Sequence, residues 1–357
     1  MVMTPASTST LNNGLTVHPY RLGSNENPLG TSPKAQAAIA SAAAGLWQYP
    51  PRSDEQFREQ LAEHHGLSAS QVVLGNSGCD VLSLIARAHL DAESSCIICP
   101  PAFPVYAATA MQQGAQVVSV PLQAETFALE PDAILATLTP NTKALYLCNP
   151  NNPTGTLIPK NTLLPFLKAL PDDLTVVYDE VYYHFVDPAK HTPVTDVLGA
   201  HPNVVIVHSF SKAYGLAGLR LGYALANGPA ADALRAHTLT FQVGSLALLA
   251  GEAALGDHEH IEATLANNRQ ERPKLASALT DLGLHVWESE TNFVLFACPQ
   301  DTEGHVYDGG LLASKFQDQG LIVRPAFDLP NHMRVTVGLP EMNRAFVEAL
   351  TGILEAT

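Results

Sequence analysis

Positive charge is what this sequence has least of. Lys and Arg number 19 among 357 residues, against 34 Asp and Glu, for a formal net charge of −15. A nucleic-acid backbone demands clustered cations, so that class of partner is excluded and each basic residue near a candidate site stands out. No apolar run approaches the ~20 residues that a membrane-spanning helix needs, so no membrane partner is expected. Residues 1–13 are Ser/Thr-rich, with neither a basic start nor an apolar segment; they read as a loose tail, and no secretory signal is expected. The five cysteines, Cys79, Cys96, Cys99, Cys148 and Cys298, are odd in number and scattered. That excludes a disulfide framework and fits a reducing cytoplasm. Cys96-Ile97-Ile98-Cys99 has the letters of C-x-x-C but no second Cys or His pair at zinc spacing, so both are read as buried strand cysteines and no metal is expected. Internal repeats and low-complexity linkers are also lacking, which predicts closely joined domains. With 46% hydrophobic residues, the length suffices for one large domain and a smaller one.

What is present is Ser209-Phe210-Ser211-Lys212-Ala213-Tyr214-Gly215-Leu216-Ala217-Gly218-Leu219-Arg220. It follows Val204-Val205-Ile206-Val207-His208, a short β-branched run that reads as a buried strand. A lysine directly after such a strand sits in a semi-enclosed place, where desolvation lowers the pKa of its amine and makes it nucleophilic. Ser209, Ser211 and Arg220 bring two hydroxyls and a fixed cation near it, a set suited to a phosphate. A reactive lysine beside a phosphate cradle describes a site for pyridoxal phosphate, whose aldehyde condenses with the amine. Alone, the same letters also describe a surface loop with a charge pair.

Three other stretches carry candidate chemistry. Val72-Val73-Leu74-Gly75-Asn76-Ser77-Gly78-Cys79-Asp80 reads as strand, small-residue turn and helix start, which leaves free N–H groups for an anion. The strand 144–148 runs into Asn149-Pro150-Asn151-Asn152-Pro153-Thr154-Gly155, a stretch that can continue neither strand nor helix. Its rigidity suits the placing of a side chain, and Asn152 is the candidate. The strand 175–178 ends in Asp179, at the carboxyl end where open α/β sheets bind ligands; a helix-capping Asp is the alternative.

Short apolar strands alternate with helices from 70 to 226, which predicts a mostly parallel sheet covered on both faces. From about 230 to 284 the pattern is helical. Beyond 285 come strands near 292–296, 321–324 and 334–337, with helices near 310–319 and 340–354. The expected fold class is α/β, a large domain over 45–255, with a smaller α+β domain built from 1–44 and 256–357.

In order and spacing these motifs, with Asn25-Glu26-Asn27-Pro28 and Met333-Arg334-Val335-Thr336-Val337-Gly338, span almost the whole chain. The chain resembles the fold-type I pyridoxal phosphate aminotransferases, and within them the histidinol-phosphate aminotransferase group. The resemblance implies that Lys212 holds the cofactor covalently and shuttles a proton, and that Asp179 pairs with the pyridine nitrogen. It implies that Asn152 and Tyr182 donate to the phenolic oxygen, and that Phe103, where a Tyr is more usual, stacks on the ring. The phosphate is then held by the N–H groups of Gly78 and Cys79, the hydroxyls of Ser209 and Ser211, and Arg220. Tyr49 is expected to enter the phosphate site of a partner subunit, which makes a homodimer with shared active sites. Arg324 and Arg334 are assigned to the substrate's anionic end, and the segment carrying Tyr20 and Asn25 to the substrate pocket. Glu180, next to Asp179, is expected to matter less.

The implied reaction moves an amino group from a small-molecule donor to a 2-oxo acid acceptor, foremost between histidinol phosphate and 2-oxoglutarate, by a ping-pong cycle. Three departures stand out: the phosphate turn reads Ser77-Gly78-Cys79-Asp80, which keeps the backbone donors but not a side-chain contact; Pro51 follows the Tyr-Pro in place of the common acid; and the usual proline-tyrosine stretch is shortened to His18-Pro19-Tyr20, which bears on the substrate. Alternatives of the same fold are an aromatic amino acid aminotransferase and a decarboxylase or lyase, phosphothreonine decarboxylase among them. A cofactor-sensing transcription regulator would need a DNA-binding module, and the charge has the wrong sign.

Overall fold

The fold is that of a computed structural model, which describes residues 9–10, 16–17, 20–51, 53–300 and 304–355. His18 and Pro19 of the shortened stretch, and most of the segment read as a loose tail, lie outside the described residues; Ser9–Thr10 pairs antiparallel with Thr16–Val17. The centre is a seven-stranded sheet in the order Val72–Gly75, Gly222–Ala226, Val204–Ser209, Thr175–Asp179, Thr142–Cys148, Ser95–Ile98, Gln116–Ser119. Gly222–Ala226 is antiparallel to both neighbours, and every other pairing in the sheet is parallel. Helices cover both faces, and each face has its own apolar core. Parallel strands buried on both sides read as continuous apolar runs, which is why they were visible in the sequence.

Cys96 and Cys99 belong to the cores on opposite faces of this sheet. Residues three apart on an extended chain point to opposite sides, so the two thiols cannot share a metal. All five cysteines are free, and among the described residues no His, Cys, Asp and Glu cluster is arranged to hold a metal ion.

The smaller unit has the antiparallel strands Phe293–Ala297, Leu329–Thr336 and Arg324–Ala326, backed by the helices Gly309–Asp318 and Pro340–Glu355. Its hairpin begins earlier than the sequence suggests, because Leu329-Pro330-Asn331-His332 lacks an apolar alternation. Tyr20–Arg21 pairs with Leu321–Ile322, and Leu22 is buried in the small core. The boundary expected at 44/45 is corrected. The helix Pro33–Ala42 lies against Ser245–Leu255, and its Ala35 belongs to the large-domain core. Two faces rich in alanine allow that close approach, which one-dimensional patterning does not reveal.

Gly222 decides how the phosphate turn meets the central strands. A Cβ there would stand 2.5 Å from the Gly78 nitrogen, 2.6 Å from the Ser77 carbonyl carbon and 3.0 Å from the His208 oxygen, all backbone atoms that cannot swing aside. Gly222→Ala is therefore expected to cost about 1–3 kcal/mol through overpacking. It should lower the melting temperature and, by pushing Gly78 away from Ser209, weaken binding of the pyridoxal phosphate that the sequence implies; calorimetry and cofactor titration measure the two effects.

Candidate active site

The strand ends and loops converge on a cavity of about 260 Å³ between the two units. Ser24, Asn25, Gly78, Cys79, Phe103, Asn152, Asp179, Tyr182, Ser209, Ser211, Lys212, Arg220, Arg324 and Arg334 all line it. Thus every residue singled out for cofactor or substrate is brought together, with two exceptions. Tyr20 packs against the small-domain core instead, because its strand pairing with Leu321 holds it there. Tyr49 is 83% exposed and stacks on Phe241 with ring centres 5.1 Å apart, away from this chain's own cavity. A larger cleft of about 990 Å³ lies beyond Tyr106 and Cys148, but neither Lys212 nor Asp179 lines it.

At one end stands an anion seat. The helix Gly78–His89 starts at the cavity wall, with Ser77 as its cap: the Ser77 hydroxyl accepts from the Asp80 N–H at 3.2 Å. Ser77 itself has φ 101°, and Asp80 holds the turn from behind by accepting from the Asn76 N–H at 2.8 Å and from Gln242. This leaves the first N–H groups of the helix, Gly78 and Cys79, at the positive end of its dipole facing the cavity. The Ser209 hydroxyl accepts from the Ser211 N–H at 3.1 Å, and Arg220 stands exposed at the rim with Nη1 donating to the Ala217 carbonyl at 3.0 Å. Burial pushes the Cys79 thiol up, while the positive charge of Arg220 pulls the other way, so at this turn the sulfur is a neutral thiol.

At the opposite end lies Asp179, buried at the tip of its strand. Its Oδ2 accepts from the Tyr106 hydroxyl at 2.6 Å and its Oδ1 from the Val181 N–H at 3.2 Å. Burial pushes this carboxyl up; Tyr106, Val181 and the charge of Lys212 pull it back. A buried carboxylate of this kind seeks a cation, and a protonated ring nitrogen is one. Lys212 lies between the two ends. Its Nζ donates to the Ser24 carbonyl at 3.0 Å and lies 5.7 Å from the centre of the Tyr182 ring. Burial, then the charge of Arg334, push its amine down to about 8.

The small domain closes the third side. Arg334 donates from Nη1 to the Asn152 Oδ1 and from Nη2 to the Gly23 carbonyl at 2.9 Å. Its guanidinium lies between the rings of Phe293 and Phe327, at 5.2 and 5.3 Å, and burial pushes it down to about 10. Asn152, with its oxygen so engaged, presents its amide N–H groups. Tyr182 remains a phenol, since burial raises it well clear of neutrality, and its oxygen accepts from Asn25 Nδ2 at 2.9 Å. Asn25 adopts φ 55° and is held by a 3.0 Å bond from its N–H to the Thr336 hydroxyl. Asparagine tolerates that left-handed backbone better than most residues.

An anion cradle, a nucleophilic lysine and a buried acid in this order fit pyridoxal phosphate. Tyr106, Phe327 and Ser24 line the cavity too and were not singled out from the sequence. The Tyr106 and Phe103 rings meet edge to face at 5.8 Å, but Tyr106 lies on the helix Val105–Gln112, where the sequence reads a tyrosine as core.

Two outcomes follow from this geometry. Only a neutral amine attacks an aldehyde, so apoprotein should capture added pyridoxal phosphate faster as pH rises through about 8 and level off above it. Stopped-flow absorbance reads the rate, and a midpoint near the ordinary lysine value of 10.5 would contradict the site. Tyr106→Phe strips a donor from a buried charge, a loss of about 1.5–3 kcal/mol. Turnover measured as kcat/KM should fall roughly 10- to 100-fold while the fold persists.

Comparison with known proteins identifies the family. The family described as aminotransferase class I and II matches residues 18–350. The chain is 38% identical over 332 residues to histidinol-phosphate aminotransferase 1 of Dechloromonas aromatica, covering 92% of this chain and 88% of that one. It is 40% identical over 338 residues to the histidinol-phosphate aminotransferase of Symbiobacterium thermophilum, covering 94% and 90%. The crystal structure of histidinol-phosphate aminotransferase from Sinorhizobium meliloti in complex with pyridoxal-5′-phosphate superposes with a TM-score of 0.87 at 26% identity, covering 95% of this chain and 91% of that one. With the lysine, the acid and the anion cradle converging on one cavity, the chain belongs to the class I and II aminotransferases, in the histidinol-phosphate aminotransferase group, and is a transaminase whose cofactor is pyridoxal 5′-phosphate.

Proposed function

We propose that the enzyme exchanges amino groups between histidinol phosphate and 2-oxoglutarate, a step of histidine biosynthesis, in a ping-pong cycle through Lys212. The observation that carries this reading is a second anion-binding end. Arg334 and Arg324 line the same cavity as Lys212 and Arg220, on the small-domain side. A guanidinium fork grips a carboxylate or a phosphate with parallel hydrogen bonds, so one pair serves glutamate in one half-reaction and the phosphate ester in the other. Relatives at 38% and 40% identity bearing the histidinol-phosphate name support the same substrate.

When bound, pyridoxal phosphate would supply an electron sink for negative charge developing at the substrate's Cα. Asp179 holds the proton on the ring nitrogen that makes this sink effective. Once the substrate's amine has displaced it from the cofactor, the freed Lys212 Nζ would take the proton from Cα and return it one position along, a task that an amine lowered to about 8 suits. Asn152 and Tyr182 donate to the phenolic oxygen. Gly78, Cys79, Ser209, Ser211 and Arg220 hold the phosphate, and Phe103 covers the ring.

The assembly we propose is a homodimer. Leu46, Trp47, Tyr49 and Leu239 are large apolar side chains that are 49%, 82%, 83% and 69% exposed. Large apolar side chains left open in this way suit burial against a second copy, with Tyr49 reaching the partner's phosphate seat. Five free cysteines suit a reducing compartment, the cytoplasm.

A half-reaction screen tests the substrate. Histidinol phosphate, glutamate, phenylalanine, tyrosine and phosphothreonine are added one at a time to the loaded enzyme, and loss of the lysine-bound cofactor absorbance is timed. Histidinol phosphate should react at least tenfold faster than phenylalanine or tyrosine. The aromatic alternative draws on one observation, the apolar wall made by Phe103 and Phe327 with ring centres 6.1 Å apart, and faster reaction with phenylalanine would select it. Carbon dioxide release from phosphothreonine without a 2-oxo product would overturn transamination.

A further inference from the structure

Behind the cavity, on the far side of the sheet, lies a buried chain of polar groups that the chemistry above does not use. Asp179 pairs with Val207 of the neighbouring strand, and the ladder runs one residue further, with the Glu180 N–H donating to the Val207 carbonyl at 3.0 Å. Successive residues on extended chains face opposite ways. Asp179 and Ser209 therefore face the cavity, while Glu180 and His208 face each other behind it. Glu180 Oε2 lies 3.1 Å from His208 Nε2, and Oε1 lies 2.8 Å from His191 Nε2. His208 Nδ1 lies 2.9 Å from the Tyr223 hydroxyl, which lies 2.8 Å from His65 Nε2. Tyr183 stacks on His208 at 4.4 Å.

Donors and acceptors can be assigned in only one direction if Glu180 is ionised. A carboxylate only accepts, so both facing Nε2 atoms donate. Burial, then the neighbouring His65, push His208 far below its ordinary pKa. It is neutral, with its one proton on Nε2, and so Nδ1 accepts from the Tyr223 O–H. The Tyr223 oxygen accepts in turn from His65 Nε2–H. Burial works against charge on His191, but the hydrogen bond and charge of Glu180 raise it. Burial and the neighbouring charge of Asp179 push Glu180 up, while the hydrogen bond and charge of His191 pull it back. The bonds joining Glu180, His208, His191, Tyr223 and His65 are then all satisfied in one direction, an arrangement that fixes these members in place.

We propose that Glu180 is a positioning residue: its bond to His208 on the rear of the sheet sets the separation between the acid at 179 and the lysine at 212. The two loops it ties are the ones that matter. Asp179 and Tyr182 flank Glu180 in the chain, and Ser209, Ser211 and Lys212 follow His208. The cofactor's ring nitrogen and phosphate would be held by opposite loops, so slack between them misplaces both ends at once. The inference rests on the roles given above to Asp179 and Lys212.

Glu180→Gln keeps the shape but sets an amide N–H₂ against an imidazole N–H. Wild type and variant are loaded with pyridoxal phosphate and three quantities measured: the melting temperature, the rate of cofactor release into a chase, and the pH midpoint at which the lysine-bound cofactor's absorbance changes. The expected result is a folded variant that releases the cofactor at least tenfold faster and shifts the midpoint by half a pH unit or more. Faster release with an unmoved midpoint would overturn the proposal, because general loosening alone explains it; so would release within twofold of wild type. Should Glu180→Gln not fold, His191→Asn, at the half-buried end of the network, should give a two- to fivefold faster release and a smaller shift in the same direction, and no change in either would overturn it. A wild-type protein with no lysine-bound cofactor would overturn this inference and the assigned function together, whereas a normal wild type beside an unshifted variant overturns this inference alone.

Discussion

Asp179 carries a carboxylate out of water at the tip of a central strand, and it stays there because Tyr106 and the Val181 N–H each donate to it. Leaving such a group without donors would cost several kcal/mol. The site therefore has a fixed negative pole at depth. The positive pole is the helix start at Gly78, with Arg220 at the rim. Lys212 lies between these poles, its amine kept half-neutral near pH 8 by burial and by Arg334. A ligand with a cationic ring at one end, an anionic phosphate at the other and an electrophile between them matches this field along its whole length.

Two frames hold that field in register. In front, Arg334 reaches from the small domain to Asn152 on the large one and to the Gly23 carbonyl, while Asn25 ties Thr336 to Tyr182. These bonds cross the cleft, so the same contacts hold the two domains together and order the substrate end. Behind, Glu180, His208 and Tyr223 bind three adjacent strand ends together. The expectation that Glu180 matters less than Asp179 reflects only its distance from the reacting atoms. A buried carboxylate with both oxygens engaged is part of the scaffold that aims them.

The fold and most of the site were legible because each signal is local. A buried parallel strand is a short apolar run, and the residue after it is delivered to the carboxyl edge of the sheet whatever the distant sequence does. Lys212, Asp179, Asn152 and the turn at Gly78 all have this form. Tyr106 was passed over because it belongs to a helix, Val105–Gln112, where a tyrosine reads as core. The helix Pro33–Ala42 was given to the wrong domain because alanine-rich faces pack on many surfaces.

The amino-acid order by itself determined the alternating elements, the lysine and acid at strand ends, and the phosphate turn, since each depends on neighbours within a few residues. The tertiary structure alone decided that Tyr106 donates to Asp179, that Arg334 spans to Asn152, and that Glu180 meets His208. Those partners are separated in the chain by 73, 182 and 28 residues. Strand order, register and the closing of one domain on the other bring them together, and no local pattern encodes these.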